Sequence, residues 1–137
     1  MATLDDIRRI ALALPEVYEA PNGHTGRPTW RVKKDYLVWE RLLTKSDLKE
    51  MERLGREWPS GTIGAVHVEG EHIKEALVST WPDVFFTIPH FDGYPAVLFQ
   101  LDRIDLDHLE ELIIDTWLDR APRRVVKTWL AEHRPDE

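Results

Sequence analysis

The stretch Phe85–Leu101 constrains the fold more than any other part of the chain. Pro89 and Pro95 exclude a helix of this length, because a proline lacks the N–H donor and restricts the residue before it. Asp92-Gly93 is a turn pair, whose glycine we expect at positive φ. The apolar pattern from Ala96 onward then predicts a strand to the end of the stretch. The loop between the two apolar runs either holds a bend or presents side chains for binding.

Hydrophobic periodicity predicts helices and strands in mixed order along the rest of the chain. Helices are expected over residues 3–14, 46–54, 71–81 and 105–117 and after Pro122, and strands over residues 17–20, 29–32, 36–41, 63–69 and 96–101. We expect Ser46 to cap the second helix. The order predicts one compact α+β domain over residues 1–137, an antiparallel β-sheet of four to six strands with helices packed mainly on one side.

Apolar stripes on three of the predicted helices are expected to lie in the core. They consist of Leu48, Met51 and Leu54 on the second helix, Ile73, Ala76, Leu77 and Trp81 on the third, and Leu106, Leu109, Ile113 and Trp117 on the fourth.

Several classes of function lack their sequence signals. Cysteine is absent, which excludes disulfides, thiolate metal sites and cysteine nucleophiles. There is no signal-peptide core and no apolar run of the ~18 residues that a membrane span needs. No Gly-rich phosphate loop, serine elbow or closely spaced histidine pair occurs. We therefore expect a cytoplasmic monomer without metal, cofactor or catalytic residues, and a binding module rather than an enzyme.

The polar loop offers one candidate site. His90, Asp92 and Tyr94 could form an acid–base group, supply two metal ligands, bind a small molecule, or only tie the loop to the sheet. A ligand site here would consist of Trp30, Arg31, His90, Asp92 and Tyr94, with Arg31 holding an anion.

Basic residues interleaved with aromatics offer a second candidate site. The net charge is −7, and residues 61–119 carry 12 acidic and 2 basic side chains, so a nucleic acid would have to avoid that half. Phosphate contacts to double-stranded DNA would come from the first hairpin and the last helix. The candidates are Arg27, Arg31, Lys33, Lys34, Arg123, Arg124 and Lys127, with Arg120 a further cation of the last helix. The alternative is an ordinary solvated hairpin and helix.

The geometry of these residues discriminates between the two functions. Cations of the hairpin and the last helix on one face would favour DNA binding. Cations that are separated, together with a cleft at the His90 loop, would favour a small-molecule site.

An acidic run is the third candidate. It comprises Asp102, Asp105, Asp107, Glu110, Glu111, Asp115 and Asp119. Most acidic helix faces are simply solvated.

The string Phe85-Phe86-Thr87-x-Pro89-His90-x-Asp92-Gly93-Tyr94-Pro95 resembles the signature of the MmcQ/YjbR family. Residues 13–17, 26–32, 101–102, 105–117 and 120–124 also resemble parts of that family, so the resemblance covers nearly the whole chain. It implies a small domain with the CyaY (frataxin) fold and a DNA-binding role. Frataxin-like domains have acidic ridges that bind iron, so the resemblance implies, by analogy of fold alone, an iron-binding role for the acidic run.

Overall fold

The computed structural model describes residues 1–134, and within them the chain forms six β-strands, five α-helices and a short 3-10 helix. The strands are β1 (Val17–Pro21), β2 (Pro28–Val32), β3 (Asp35–Glu40), β4 (Ile63–His67), β5 (Phe85–Phe86) and β6 (Ala96–Gln100). The helices are α1 (Leu4–Leu12), α2 (Lys45–Arg53), α3 (Glu71–Thr80), α4 (Leu106–Arg120) and α5 (Arg123–His133), and the 3-10 helix is Pro89–Phe91. The predicted α+β class is confirmed.

The strands of residues 1–134 make one antiparallel sheet in the order β1-β2-β3-β4-β6-β5. Two consecutive hairpins join the first three strands, and β6 lies between β4 and β5. Every residue of β4 is buried, as expected for an interior strand with both faces covered.

A β-bulge between β2 and β3 determines which side chains face each side of the sheet. Trp30 pairs with Val38 and Arg31 pairs with Tyr36, so Leu37 is the extra residue on β3. Leu37 and Val38 therefore both lie in the helix-side core, while Tyr36 packs on the other face. The sequence left the two faces of β3 open, because apolar residues occur on both.

Helices cover the two faces of the sheet unequally, which confirms the predicted packing mainly on one side. Helices α1, α4 and α5 supply the larger core, with α3 packed at its margin. The smaller core on the opposite face contains Met51 of α2, Phe91 of the 3-10 helix, and Trp39, Ala65 and Leu98 of the sheet.

The prediction for α2 is wrong in two respects. Its N-cap is Thr44, not Ser46, because Thr44 and Asp47 have the spacing of a capping box and satisfy each other's backbone N–H. Leu48 and Leu54 are exposed, since the small core beneath α2 admits only Met51 from the predicted stripe.

The stripe predicted to be buried on α3 is also wrong. Ile73 and Leu77 are only half-buried, Ala76 is exposed and Trp81 is 44% exposed. The fully buried residue of α3 is Lys74, which the sequence did not single out.

On α4, Leu106 is 41% exposed instead of buried, whereas Leu109, Ile113 and Trp117 are buried as predicted. Leu106 is the first residue of the helix and lies at its margin with α3.

Gly64 on β4 generates a prediction about sheet packing. It pairs with Phe99 of β6, and an added Cβ would lie 2.4 Å from Cζ of that buried ring. We expect Gly64→Ala to lower the free energy of unfolding by about 1–3 kcal/mol, because the ring must shift within a packed core. Urea denaturation measures this difference. Gly23→Ala is the matched control, since no atom lies within 4 Å of its added Cβ. Equal stability of both variants would contradict the prediction.

Candidate functional site

The loop between β5 and β6 places Tyr94 over the sheet. Asp92 has φ −62° and ψ 126°, Gly93 has φ +75°, and the Tyr94 N–H donates to the Phe91 carbonyl at 3.0 Å. These are the features of a type II β-turn, which favours glycine at its third position. The predicted positive φ at Gly93 is confirmed.

Lys74 of α3 holds this loop. Its ammonium donates to the carbonyls of Phe91 at 2.6 Å and Tyr94 at 3.0 Å, and the Glu71 carboxylate lies 3.6 Å away. With the residue only 4% exposed, these partners offset the desolvation of a buried charge. Lys74 therefore fixes the backbone from which the Tyr94 side chain extends.

Tyr94 forms a hydrogen-bonded pair with His67 of β4. The Tyr94 hydroxyl lies 2.7 Å from His67 Nε2, and Nδ1 of the same ring contacts the Tyr36 carbonyl. A carbonyl only accepts, so Nδ1 carries the proton and Nε2 accepts the Tyr94 hydroxyl proton. The lone pairs of the Tyr94 oxygen are then directed away from His67.

Burial favours the neutral form of both members of the pair. It lowers the pKa of His67, which is 6% exposed, and the positive charge of Arg120 lowers that pKa further. Burial also raises the pKa of Tyr94. Near neutral pH the pair is therefore an uncharged imidazole and an uncharged phenol.

The pair lies in a cleft of about 330 Å³, which we call the Arg120 cleft. It is lined by Lys34, Asp35, Tyr36, Trp39, His67, Tyr94 and Arg120.

The Arg120 guanidinium, 22% exposed, has carboxylates of Asp35 and Asp119 at 3.8 and 3.9 Å, which is too long for hydrogen bonds. Its Nε is buried without a hydrogen-bond partner among residues 1–134. The cleft therefore contains a cation whose hydrogen-bonding capacity is incompletely used.

A second cleft, of about 470 Å³, lies on the other side of Tyr94, and we call it the His90 cleft. It shares Trp39 and Tyr94 with the Arg120 cleft. The other residues that line it are Asn22, His24, Thr25, Glu40, Arg41, Leu42, Thr44, His90 and Phe91. Its charged groups are paired. Glu40 contacts Arg27 at 2.6 Å and Arg41 contacts Asp47 at 2.9 Å. Of the two clefts, only the Arg120 cleft has a guanidinium, that of Arg120, whose carboxylate neighbours lie beyond hydrogen-bond distance.

The structure brings together only part of the predicted ligand site. His90 and Tyr94 line the same cleft. Trp30 is fully buried on the helix side, where its indole N–H donates to Glu19 at 2.9 Å, so it is not available to a ligand. Arg31 lies over the Tyr36 ring, and Asp92 is exposed on the turn without lining either cleft.

The sequence did not indicate that His67, Trp39 and Arg120 line the Arg120 cleft. Arg120 was assigned to the last helix, but it ends α4. One signal for His67 was available, because it is a polar residue in an otherwise apolar interior strand.

The hairpin cations among the predicted phosphate contacts do not share one face. Arg27 forms an ion pair with Glu40 at one end of β2, and Lys33 follows the opposite end of that strand. Arg31 packs against Tyr36 on the sheet face away from α5.

The remaining cations lie near the hairpin tip and along the start of α5. Lys34 lines the Arg120 cleft. Arg124 of α5 lies 3.7 Å from Glu16, the residue directly before β1. Arg123 lines a groove between α3 and α4 that also contains Asp107, Glu111, Asp115 and Asp119, which we call the acidic groove. Lys127 is exposed one turn further along α5. DNA binding by the whole set stays a prediction.

Two general features of residues 1–134 bear on the class of protein. Their helices are all too short or too polar to cross a membrane. No group of three or more histidine, aspartate or glutamate side chains in this range is placed to hold a metal ion. The cytoplasmic location and the monomeric state stay predictions.

Comparison with known proteins gives relatives without a known activity. No family model matches the chain. The uncharacterized protein Rv2570 of Mycobacterium tuberculosis is 48% identical over 132 residues, which cover 96% of this chain and 98% of the mycobacterial one. The uncharacterized protein Mb2600 of Mycobacterium bovis matches to the same extent.

One solved structure has the same fold. Protein DR2400 of Deinococcus radiodurans, which has a DUF419 domain, superimposes with a TM-score of 0.66 over 96% of this chain and 88% of its own, at 18% identity. This likeness concerns the fold alone. The identity to the mycobacterial proteins extends over nearly their whole length, and the chain belongs to their family.

Proposed function

We propose that this protein binds a small organic anion in the Arg120 cleft. The observation that carries the proposal is the Arg120 guanidinium without a hydrogen-bonded counterion, in the same cleft as the Tyr94–His67 pair. Concave sites with aromatic walls and a few convergent polar groups are typical of small-molecule binding.

The lining residues indicate the chemistry of the ligand. A guanidinium binds carboxylate or phosphate through charge-assisted hydrogen bonds, and Lys34 adds a second positive charge. Trp39 and Tyr36 supply the aromatic part of the cleft lining. The Tyr94 oxygen, whose proton is directed to His67, accepts a hydrogen bond from a ligand donor. A cleft of about 330 Å³ suits a ligand near the small end of the usual range.

We also propose that the chain is a member of the MmcQ/YjbR family. The support is the string from Phe85 to Pro95, which in this structure contains β5, the 3-10 helix, the type II turn and Tyr94. In this interpretation, the string is distinctive because it positions Tyr94 over His67.

Binding of duplex DNA is a second candidate, and one observation favours it. The hairpin tip with Lys33 and Lys34 lies near Arg120, and Arg124 lies beside the start of the neighbouring strand. A phosphate backbone could meet these cations at one end of the molecule, together with Arg123 at the adjoining end of the acidic groove.

Titration with benzoate tests the anion site. We expect benzoate to bind with a dissociation constant of about 1 mM, the affinity expected of a ligand of this size, and benzamide to bind far more weakly because it lacks the charge. NMR shifts of the Trp39 indole N–H, assigned with Trp39→Phe, report binding in the cleft. Arg120→Gln should weaken benzoate binding at least about tenfold, since it removes the charge-assisted hydrogen bonds.

Arg103→Gln is the matched control for this titration. It removes the same charge from an exposed position outside the cleft and should leave the affinity unchanged. Equal binding of benzoate and benzamide, or an unaltered affinity in a folded Arg120→Gln protein, would show that the cleft is not an anion site.

The pH dependence of stability tests the environment of His67. Its pKa is lowered on folding, so the unfolded chain binds the proton more readily, and the free energy of unfolding falls as pH drops below the ordinary value of 6.5. In His67→Gln this contribution is removed, so its loss of stability between pH 7 and pH 5 should be smaller than in the parent. Urea denaturation at both pH values measures the difference. His24→Gln, which removes an exposed imidazole, is the control. Parallel pH profiles of His67→Gln and the parent protein would contradict the lowered pKa.

The DNA candidate has its own test. Arg123→Ala with Arg124→Ala should weaken binding of a mixed-sequence duplex and reduce the slope of log affinity against log salt by up to about 2. Lys49→Ala with Arg53→Ala removes two exposed cations from α2 and serves as the control. Fluorescence anisotropy at several salt concentrations measures both pairs. An unchanged slope in the α5 pair would count against phosphate contacts there.

A further inference from the structure

A groove of about 1080 Å³ lies between α3 and α4, apart from the clefts around Tyr94. Val68 and Thr116 are among the residues at its base, where the Thr116 hydroxyl donates to the His67 carbonyl at 2.6 Å. The two helices line the groove with side chains of different character, which allows its partner to be inferred from chemistry.

The α3 wall is apolar. Ile73, Leu77 and Trp81 line the groove at intervals of four residues, so they form a stripe about 12 Å long. The first two are half-buried, Trp81 is 44% exposed, and Leu106 at the start of α4 extends the apolar surface. Residues 1–134 cover this stripe only in part, with the His108 ring of α4 4.5 Å from the Trp81 ring, although its pattern is that of a buried helix face. Exposed contiguous apolar surface of this kind marks interaction sites.

The α4 wall is acidic. Asp107, Glu111, Asp115 and Asp119 also recur at intervals of four residues, and all four line the groove. Within the described chain, the first three form no ion pair, and Asp119 has only the long contact to Arg120 at 3.9 Å. Like charges at this spacing destabilise a helix, so α4 carries an electrostatic cost that a cationic partner would relieve.

The pKa of Asp115 is raised in this wall. Burial is the main cause that raises its pKa, and the negative charge of Glu111 raises it further, while Arg134 partly opposes the shift. Together with Glu69 and Asp105, the groove contains six carboxylates against one guanidinium, that of Arg123. The excess of negative charge excludes a nucleic acid or an acidic peptide as occupant.

We propose that this groove binds a cationic amphipathic helix of a partner protein. The apolar face of that helix would pack on Ile73, Leu77 and Trp81, and its lysine or arginine side chains would meet the carboxylates of α4. An amphipathic helix in a groove of this kind is anchored by residues at three- and four-residue intervals, which match the stripe on α3. Arg123 limits the cationic face at the end of the groove nearest α5.

The test uses a fluorescein-labelled synthetic helix of leucine, lysine and alanine, with leucines at four-residue intervals on one face and lysines on the adjacent face. We expect it to bind the full chain in the micromolar range by fluorescence anisotropy. A peptide of the same composition with scrambled order should bind at least tenfold more weakly. Backbone amide shifts should concentrate on residues 73–81 and 105–119.

Charge-neutralising variants locate the binding. Glu111→Gln with Asp115→Asn should weaken binding at least tenfold, because these near-isosteric changes remove two charges of the acidic wall. Glu52→Gln with Asp83→Asn removes two exposed carboxylates outside the groove and should leave the affinity within twofold.

Three results would overturn the proposal. The first is equal binding of the ordered and scrambled peptides. The second is an unchanged affinity in the Glu111→Gln, Asp115→Asn protein. The third is sedimentation evidence that a second copy of the chain occupies the groove, with self-association that the same two substitutions abolish.

Discussion

The buried ammonium of Lys74 makes the interactions on which both proposed binding surfaces depend. Its hydrogen bonds to the carbonyls of Phe91 and Tyr94 fix the loop that positions the Tyr94 hydroxyl against His67. On α3 the buried position is occupied by Lys74 instead of an apolar residue. Ile73 and Leu77, on the neighbouring side of the helix, are then only half-buried and line the groove. The buried Lys74 thus supports the loop of the cleft, and the half-buried apolar residues beside it on α3 border the groove.

Helix α4 connects the two surfaces and separates their charges. Its carboxylates at four-residue intervals line the groove, and its last residue, Arg120, supplies the cation of the Arg120 cleft. A helix with apolar residues around much of its circumference buries one side against the sheet and still contributes Leu106 and Leu112 to the groove. The net charge of −7 is therefore a poor guide to local potential, because the two signs act at different sites.

The sequence predicted those features that depend on neighbouring residues. The positive φ at Gly93 and the strand after Pro95 both follow from local backbone chemistry, and both are confirmed. Contacts between distant residues were missed. His67 and Tyr94 are 27 positions apart, and Lys74 lies 20 positions from the same tyrosine. Periodicity also identified apolar faces correctly on α2 and α3 without indicating whether another element covers them. Leu48 and Trp81 are exposed for that reason.

The distance over which charges act favours a small anion over a duplex as the partner of Arg120. A ligand of cleft size meets Arg120 and Lys34 at contact distance, and at physiological ionic strength charges beyond about 8 Å are largely screened. A duplex extends far beyond the cleft, and its phosphates would approach a chain whose residues 61–119 carry 12 acidic and 2 basic side chains. Arg27 and Arg31, which would have to extend the basic surface, are held by Glu40 and by Tyr36. The cations left for DNA are few and local, which is the arrangement that a small anion requires.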